Sequence, residues 1–591
     1  MRRAVVLLIM MLGAAAPLAA LDAYPMTTLA EDATSTGCPY CPDAYAGLEV
    51  IHSSYDYGQF VSARYYSTAI NGQYYYTPET IAAIAYYGIG SYPTVVFNGQ
   101  TKVVGGGTAV ASGAAYLPIV QAASFQPAPV RIEIDSFDPA SGDIQATVTM
   151  YSETDALAGD HIRLLLLEDQ VVSGPPATHV TRDIINDTIT LSGAGNTAVF
   201  STNFDIDPSW NQANLHAVVF VQRAADKEVL QTVSTYPMPD YSVRAMVPFD
   251  RVQIGPSSGM YTSPFFTIAN VGFTDTFTIN LIVDDGPPGW VASYCDSHGT
   301  CHVGEYSFDL AAGASTEFDA NVTPDSPGFM KFHFEITSPN LAAPLVIPFT
   351  YLTDDLDVLI VDDDGAQGYE SYYTAALDTL GMSYGVWDLT AGKLTDDVLQ
   401  AYSLLIWQIG ESYPTLDAED RDFLTNHLDN GGSLFLTGQD IGWELNTSDS
   451  GNYDPTWYHD YLHANYVLDD TNLYYLDGVA GDPIGDGLVL HIQGGDGANN
   501  QAYPDAILPR DADAASILIY RSGANYVGGV RAADAASGAR VVYLGFGFEA
   551  IDNAQHRADL LGPALQWLGA GELFSDGFES GDTTAWSATV P

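Results

Sequence analysis

Two cysteines stand three positions apart in Gly37-Cys38-Pro39-Tyr40-Cys41-Pro42, directly before a predicted helix over residues 42–52. At the start of a helix, backbone N–H groups and the helix dipole favour a thiolate, so we expect a lowered pKa for Cys38. Cys41 lies one helical turn away, where it could resolve a mixed disulfide. The spacing leaves two alternatives open, an inert structural disulfide and part of a metal site. The nearby sequence has neither a second C-x-x-C nor a histidine pair to complete a zinc site.

Around this motif, residues 24–125 alternate between strand and helix patterns. Asn98-Gly99 is a strong signal for a tight hairpin turn between the last two strands. The patterns predict the order β-α-β-α-β-β-α, which describes an α/β domain. The predicted strands are 26–33, 60–66, 94–98 and 101–104, and the predicted helices are 42–52, 77–87 and 111–123.

Two further features accompany the cysteine pair: Asp32 lies six residues before Cys38, and Tyr92-Pro93 leads into a later strand. With these features the segment resembles the thioredoxin superfamily. The resemblance implies that Cys38 is the attacking thiol and that Cys41 is the resolving one. It also implies that Asp32 is a buried carboxylate, and that Pro93 follows a cis peptide bond and shapes the substrate groove. Gly37 stands where the family usually has an aromatic residue, so we expect substrate binding to differ.

The thioredoxin-like segment is followed by a second domain of different character. A stiff Pro-containing linker at 126–129 precedes residues 130–240, where alternating apolar residues predict an antiparallel β-sandwich. Residues 24–240 together resemble the Omp28-related family of exported bacterial proteins, which joins a thioredoxin-like domain to a β-sandwich. The resemblance supports this architecture more than an activity. The matching motifs are Thr178-His179-Val180-Thr181-Arg182-Asp183, Trp210, Asn214-Leu215, residues 218–222 and Lys227-Glu228-Val229-Leu230. We interpret His179 and Arg182 as an ordinary pair on a strand surface.

A second all-β segment, residues 245–352, is rich in Thr, Phe and Val and predicts an Ig-like β-sandwich. It contains the other two cysteines, Cys295 and Cys301. A five-residue spacer around a glycine fits a hairpin closed by a disulfide. A metal site that uses these thiols with His298 and His302 is the less favoured alternative.

From residue 355 the pattern changes to a doubly wound α/β layout that extends to 569. A long segment rich in Tyr, Asp and Gly, from about 447 to 538, reads as an insertion. The predicted strands are 358–361, 384–387, 403–408, 433–437 and 540–544, and the predicted helices are 369–380, 417–428 and 554–568.

The stretch Gly438-Gln439-Asp440-Ile441-Gly442 lies between a predicted strand and a short helix, the position of a nucleophile elbow. The segment 355–569 resembles the class I glutamine-amidotransferase-like fold, or more broadly a flavodoxin-like layout. In that fold the elbow carries a cysteine, and here Asp440 takes its place. The resemblance therefore implies an accessory, non-catalytic domain, with Asp440 on a tight turn that faces the crevice at the carboxyl ends of the strands.

Asp362, Asp363 and Asp364 end the first strand of this domain, where carboxylates lie in the usual ligand crevice of such sheets. They are weak candidates for binding Ca²⁺ or Mg²⁺, and we expect no cofactor other than Ca²⁺. A solvated acidic turn is the favoured alternative. His459 and His463 are one helical turn apart, but their tyrosine neighbours favour packing over metal binding.

The composition and the two ends of the chain limit the classes of protein to which it can belong. The chain of 591 residues has 73 acidic and 19 basic residues and a net charge of −54, which excludes a nucleic-acid binder. Residues 1–20 predict a signal peptide, no later stretch predicts a transmembrane segment, and 572–591 form a short tail motif. We expect an exported protein that is periplasmic, displayed on the cell surface or secreted. The leading hypothesis is a thiol–disulfide oxidoreductase with an unknown protein thiol or disulfide partner, and the alternative is a non-catalytic binding or scaffold protein.

Overall fold

The computed structural model describes residues 23–67, 75–171, 177–365, 367–389, 393–394, 398, 401–522 and 524–570. The predicted signal peptide and tail motif lie outside these ranges. In the described residues the protein is multidomain and mostly β-sheet, with several separate sheets. Among these residues, none of the helices combines the length and hydropathy needed to span a membrane.

The N-terminal segment places helices against a mixed sheet. Its elements are β1 (Tyr24–Pro25), β2 (Thr28–Thr34), α1 (Cys41–His52), β3 (Phe60–Tyr66), α2 (Pro78–Tyr86), β4 (Thr94–Phe97), β5 (Thr101–Val104) and α3 (Ala109–Ser124). Strand β2 is parallel to β3 and antiparallel to β4. The β4–β5 turn has positive φ at Asn98 (46°) and Gly99 (74°), as the Asn-Gly signal predicts. This arrangement places the cysteine pair, with Cys41 as the first residue of α1, in the connection that follows strand β2.

The next segment forms a sandwich that shares a sheet with the first. Its strands are β6 (Pro127–Ala128), β7 (Val130–Phe137), β8 (Asp143–Met150), β9 (Ala156–Glu168), β10 (Val180–Ser192), β11 (Thr197–Asn203), β12 (Leu215–Gln222) and β13 (Val229–Ser234). One layer is the sheet β11-β8-β7. The other continues into the N-terminal segment in the order β13-β12-β9-β10-β3-β2-β4-β5, because Val180 pairs in parallel with Arg64. Instead of acting only as a linker, 126–129 contributes β6, which pairs with β1.

The third segment packs two sheets around a core rich in phenylalanine. Its strands are β14 (Val243–Met246), β15 (Val252–Gly255), β16 (Tyr261–Thr262), β17 (Phe266–Asn270), β18 (Asp275–Asp285), β19 (Val291–Asp296), β20 (Cys301–His302), β21 (Tyr306–Leu310), β22 (Ser315–Thr323), β23 (Phe329–Thr337) and β24 (Leu345–Thr353). The sheet orders are β14-β17-β22-β19-β20 and β15-β24-β23-β18-β21. The expectation of purely antiparallel sandwiches is wrong here, because β15 pairs in parallel with β24.

The C-terminal segment has helices on both faces of one large sheet. Its strands are β25 (Val358–Asp362), β26 (Tyr384–Asp388), β27 (Leu404–Gln408), β28 (Ser433–Thr437), β29 (Ala464–Leu468), β30 (Tyr475–Gly478), β31 (Val489–His491), β32 (Ala506–Pro509), β33 (Ala514–Tyr520), β34 (Val527–Ala533) and β35 (Arg540–Leu544). Its helices are α4 (Glu370–Leu380), α5 (Ala418–Asp429), α6 (Ile441–Asn446), α7 (Pro455–Leu462) and α8 (Ala554–Leu568). Strands β26-β25-β27-β28-β35 are parallel neighbours in that order.

The predicted insertion at 447–538 is part of this sheet. Strands β34, β33, β30 and β31 continue it from β35 with antiparallel pairing, so the sheet is mixed. The prediction of an insertion missed the strands of this stretch, because its glycine and aspartate content resembles that of a loop. Residues such as those of β34 are nevertheless buried, since they pack between β33 and β35.

Candidate functional site

The candidate site is the disulfide between Cys38 and Cys41 at the start of α1. Both cysteines are largely covered, with 6% of Cys38 and 2% of Cys41 exposed, while Tyr40 between them is 60% exposed. The backbone N–H of Cys41 donates to Cys38 Sγ at 3.1 Å. A helix N-terminus and this N–H together stabilise negative charge on Cys38 when the disulfide is opened. The structure therefore places both cysteines, joined as a disulfide, at the start of a helix.

Pro93 lies close to the cysteine pair, as predicted. The Tyr92–Pro93 peptide bond is cis, and the carbonyl oxygen of Tyr92 lies 3.5 Å from Cys38 Sγ. A Cβ added to Gly106 would lie 2.6 Å from the carbonyl oxygen of Tyr40 and 3.4 Å from Pro93 Cγ. A glycine at 106 therefore lets three loops meet at the disulfide. Once the disulfide is reduced, the Tyr92 carbonyl is within reach as an acceptor for the Cys38 thiol.

Asp32 is fully buried on β2, as the resemblance implies, but it has a partner that the sequence analysis missed. Arg64 Nε donates to Asp32 Oδ2 at 3.3 Å, because the parallel register of β2 and β3 places the two residues side by side. The other oxygen, Oδ1, has no hydrogen bond among the described residues. Burial raises the pKa of Asp32, and the guanidinium of Arg64 opposes that shift. Asp32 is thus a buried carboxylate with one oxygen available to accept a proton.

His179 is a buried residue, so its interpretation as part of a surface pair is wrong. Only 3% of His179 is exposed, its Nδ1 lies 3.1 Å from Ser62 Oγ and its Nε2 lies 3.2 Å from the Tyr57 hydroxyl. His52 Nε2 approaches the same Ser62 hydroxyl at 2.9 Å. Burial is the main reason that the pKa of each histidine falls to about 3. Arg182 forms an ion pair with Glu168 at 2.6 Å.

The second disulfide closes a hairpin, as predicted. Cys295 and Cys301 are directly paired residues of β19 and β20 and are bonded to each other. Asp296 Oδ1 accepts the backbone N–H groups of His298 and Thr300 and so holds the hairpin loop. The thiols are thus used in the disulfide, and this pair offers a structural counterpart to Cys38–Cys41 within the same chain.

The acidic triplet at the end of β25 divides between two environments. Asp362 and Asp364 converge with Glu370, their carboxylate oxygens lying within 4.8 Å of one another. The prediction that Asp363 belongs to this set is wrong. Side chains alternate in direction along a strand, and the Asp363 carboxylate instead accepts a hydrogen bond from Trp407 Nε1 at 3.0 Å. Burial and the carboxylates nearby raise the pKa of Asp362 to about 8. Three carboxylates in this arrangement are suited to holding a cation.

Asp440 occupies the tight turn predicted for it. Asp440 lies between β28 and α6 and has a positive φ of 65°. Burial and the nearby carboxylates raise its pKa to about 7. Carboxylate oxygens of Asp469 and Asp505 lie within 4.8 Å of its own, and Asp505 Oδ2 accepts the Gly442 N–H at 2.9 Å. Asp469 and Asp505 belong to the segment 447–538, which was predicted to be an insertion, so no sequence signal places them beside Asp440. Of the two histidines that the sequence analysis assigned to packing, His463 has its Nδ1 2.9 Å from Asp511 Oδ2.

No family model matches the chain, and no curated relative is found. Among solved structures, HBP35 of Porphyromonas gingivalis is similar at 12% identity over 56% of this chain and 98% of its own, with a TM-score of 0.30. The N-terminal domain of PorA is similar at 8% identity over 19% of this chain and 97% of its own, with a TM-score of 0.15. A PapD-like domain of human CEP192 is similar at 12% identity over 20% of this chain and 89% of its own, with a TM-score of 0.14. At these scores the likenesses say nothing about activity.

Proposed function

We propose that this protein is an exported thiol–disulfide oxidoreductase whose reactive pair is Cys38 and Cys41. The observation that carries the proposal is the position of the pair, a disulfide at a helix N-terminus beside the Tyr92 carbonyl and Pro93. The buried carboxylate of Asp32 on the preceding strand supports it further. The element order from β2 to α3, β-α-β-α-β-β-α, supports the thioredoxin-like assignment.

The proposed reaction exchanges one disulfide for another. A thiolate of a partner protein attacks Cys38 Sγ, the bond between the two sulfurs breaks, and Cys41 leaves as a thiolate that takes up a proton. A second partner thiolate then attacks the partner sulfur of the mixed disulfide and releases Cys38. The partner is oxidised to a disulfide, while Cys38 and Cys41 are reduced to two thiols. Cys38 is the entry point because more of it is exposed than of Cys41.

The rest of the chain has an accessory role in this proposal. The sandwich strands and the strands of the N-terminal segment share one sheet, which supports an Omp28-related assignment of residues 24–240. The C-terminal α/β segment is amidotransferase-like in this proposal. Asp440 stands at its elbow, and the charged groups that raise the pKa of Asp440 are carboxylates. An exported location agrees with the two disulfides.

A static disulfide in a non-catalytic binding or scaffold protein is the second candidate. The observation that favours it is the low exposure of both cysteines, 6% for Cys38 and 2% for Cys41. A partner must approach such a pair closely, and a covered disulfide also resists exchange.

The reduction potential of the pair decides between the two candidates. The full chain is equilibrated in redox buffers of graded potential, the thiols are alkylated, and each disulfide is quantified by peptide mass spectrometry. We expect Cys38–Cys41 to be reduced between about −270 and −120 mV, the range of oxidoreductases. The Cys295–Cys301 hairpin is the internal control, and it should stay oxidised to below about −300 mV as structural disulfides do. A Cys38–Cys41 potential below that of the control would overturn the proposal.

A further inference from the structure

An acidic cluster lies where the parallel strands β25 and β27 end side by side. Asp362 is the last residue of β25, Asp364 lies two residues later and Glu370 begins α4. One carboxylate oxygen of each lies within 4.8 Å of the other two. Asp364 is fully buried and Asp362 is 8% exposed. The strand order reverses at β25, and open α/β sheets bind ligands at the carboxyl ends of their strands at such a point.

The amide of Gln408 is an independent sign that the cluster takes a ligand. Gln408 is the last residue of β27, it is fully buried, and its Nε2 donates to Asp362 Oδ1. Its Oε1 has no hydrogen-bond partner among the described residues, although the amide is held against the cluster. The buried Oε2 of Glu370 also has none. A buried oxygen acceptor without a donor is unfavourable, so an electropositive partner at these two atoms would be stabilising.

Protein cations do not supply that partner. Within the described part of the chain, the ion pairs formed by Lys, Arg and His leave out Asp362, Asp364 and Glu370. Backbone N–H groups of Gln367 and Tyr369 donate to Asp364, at 2.7 and 2.9 Å, but these dipoles do not neutralise a charge. Buried carboxylates that keep their charge are paired or coordinate a metal, and the others are protonated.

We propose that Asp362, Asp364, Glu370 and the Oε1 of Gln408 bind one calcium ion. The donor set consists of three carboxylates and one amide oxygen, which are hard ligands of the kind that Ca²⁺ takes in sets of six to eight. Magnesium is a poorer fit, because it demands a near-ideal octahedron and usually keeps several waters in place of protein ligands. The calcium ion coordinates the two oxygens that lack a hydrogen-bond donor. It thereby fixes the start of α4 to the end of β27.

Calorimetric titration of the EDTA-treated full chain with CaCl₂ tests the site. The buffer contains enough NaCl to screen the net charge of −54 and so suppress diffuse binding. We expect one saturable site, with an affinity weaker by at least about 10–100-fold in Glu370→Gln, because removing even a second-shell partner of a metal ligand costs that much and Glu370 is a ligand itself. Asp469→Asn, in the other acidic cluster, is the matched control and should bind as the wild type does.

Gln408→Glu separates a ligand from a structural residue. The substitution keeps the shape of the side chain and adds a fourth carboxylate, so calcium binding should tighten, whereas damage to the fold would weaken it. The absence of a saturable site in the wild type, or equal binding by wild type and Glu370→Gln, would overturn the proposal. Equal affinity for MgCl₂ and CaCl₂ would overturn the assignment of calcium.

Discussion

Acid should loosen the junction between the N-terminal segment and the sandwich, because His179 is buried there in its neutral form. Its ring is 3% exposed and makes hydrogen-bond contacts with Ser62 and Tyr57. Burial is the largest reason that its pKa falls from 6.5 to about 3, and the charges of Arg64 and His216 lower it further. His52, whose ring centroid is 5.0 Å away, also has a pKa of about 3, for reasons of burial and of His179 itself.

The sign and size of the effect follow from these values. Well above pH 6.5 both histidines are neutral in the folded and in the unfolded chain, so they do not make the free energy of unfolding depend on pH. As the pH falls below 6.5, the unfolded chain binds protons that the folded chain excludes, and stability is lost until the folded pKa near 3. The loss is about 1.4 kcal/mol per pH unit for each histidine, hence about 2 kcal/mol at pH 5 for His179 and about 4 kcal/mol for both.

Hydrogen exchange at pH 7 and pH 5 measures this loss locally. The free energy of opening is read from the amides of β3, residues Phe60–Tyr66, after correction for intrinsic exchange rates. The two histidines should cost the wild type about 4 kcal/mol between the two pH values, and His179→Gln should lose about 2 kcal/mol less, since its own contribution is removed. His333→Gln, in an exposed ion pair of the third segment, is the control and should retain the full loss. The reasoning is refuted if His179→Gln and the wild type lose equal stability.

Two predictions concern the cysteine site itself. After reduction of the full chain, alkylation against pH should show a pKa for Cys38 below the free-thiol value of about 8.5 and below that of Cys41, and equal titration of both thiols near 8.5 would contradict the assignment of Cys38 as the attacking residue. Gly106→Ala should destabilise the N-terminal segment by about 1–3 kcal/mol in denaturant unfolding, because the new Cβ would lie 2.6 Å from the Tyr40 carbonyl. The control Gly90→Ala meets no atom within 4 Å and should change stability by at most about 0.5 kcal/mol, and equal effects of the two would show that the close approach does not matter.

Local sequence signals predicted the parts of the fold that depend on neighbours along the chain. Strands 60–66, 433–437 and 540–544 agree with the bounds of β3, β28 and β35, because short buried runs between turn signals define them. Asn98-Gly99 located its hairpin through the positive φ values that this turn requires. The C-x-x-C motif likewise located a helix start.

Features set by pairing between distant segments were not predictable in the same way. Arg64 is an unremarkable residue in its strand, and only the register of β2 against β3 places it beside Asp32. Asp505 is separated from Asp440 by 65 residues, and the mixed pairing of the segment between them brings the two together. Burial of His179 depends in the same way on β10 joining β3. Sequence patterns specify which face of an element is apolar, but they do not specify which distant element covers it.

The sandwich helps to build the surroundings of the cysteine site. The carbonyl oxygen of His179 accepts the Arg64 N–H at 2.9 Å, next to the bridge that joins the two segments into one sheet. Thr178 shares a hydrogen bond with the hydroxyl of Tyr45 on α1, and the Tyr45 ring lies 4.0 Å from the Arg64 guanidinium that contacts Asp32. The position of that guanidinium, and with it the charge felt by the buried carboxylate, therefore depends on residues of both segments. For this reason the surroundings of Asp32 belong to residues 24–240 as a unit, and residues 24–125 alone would present a different electrostatic environment to that carboxylate.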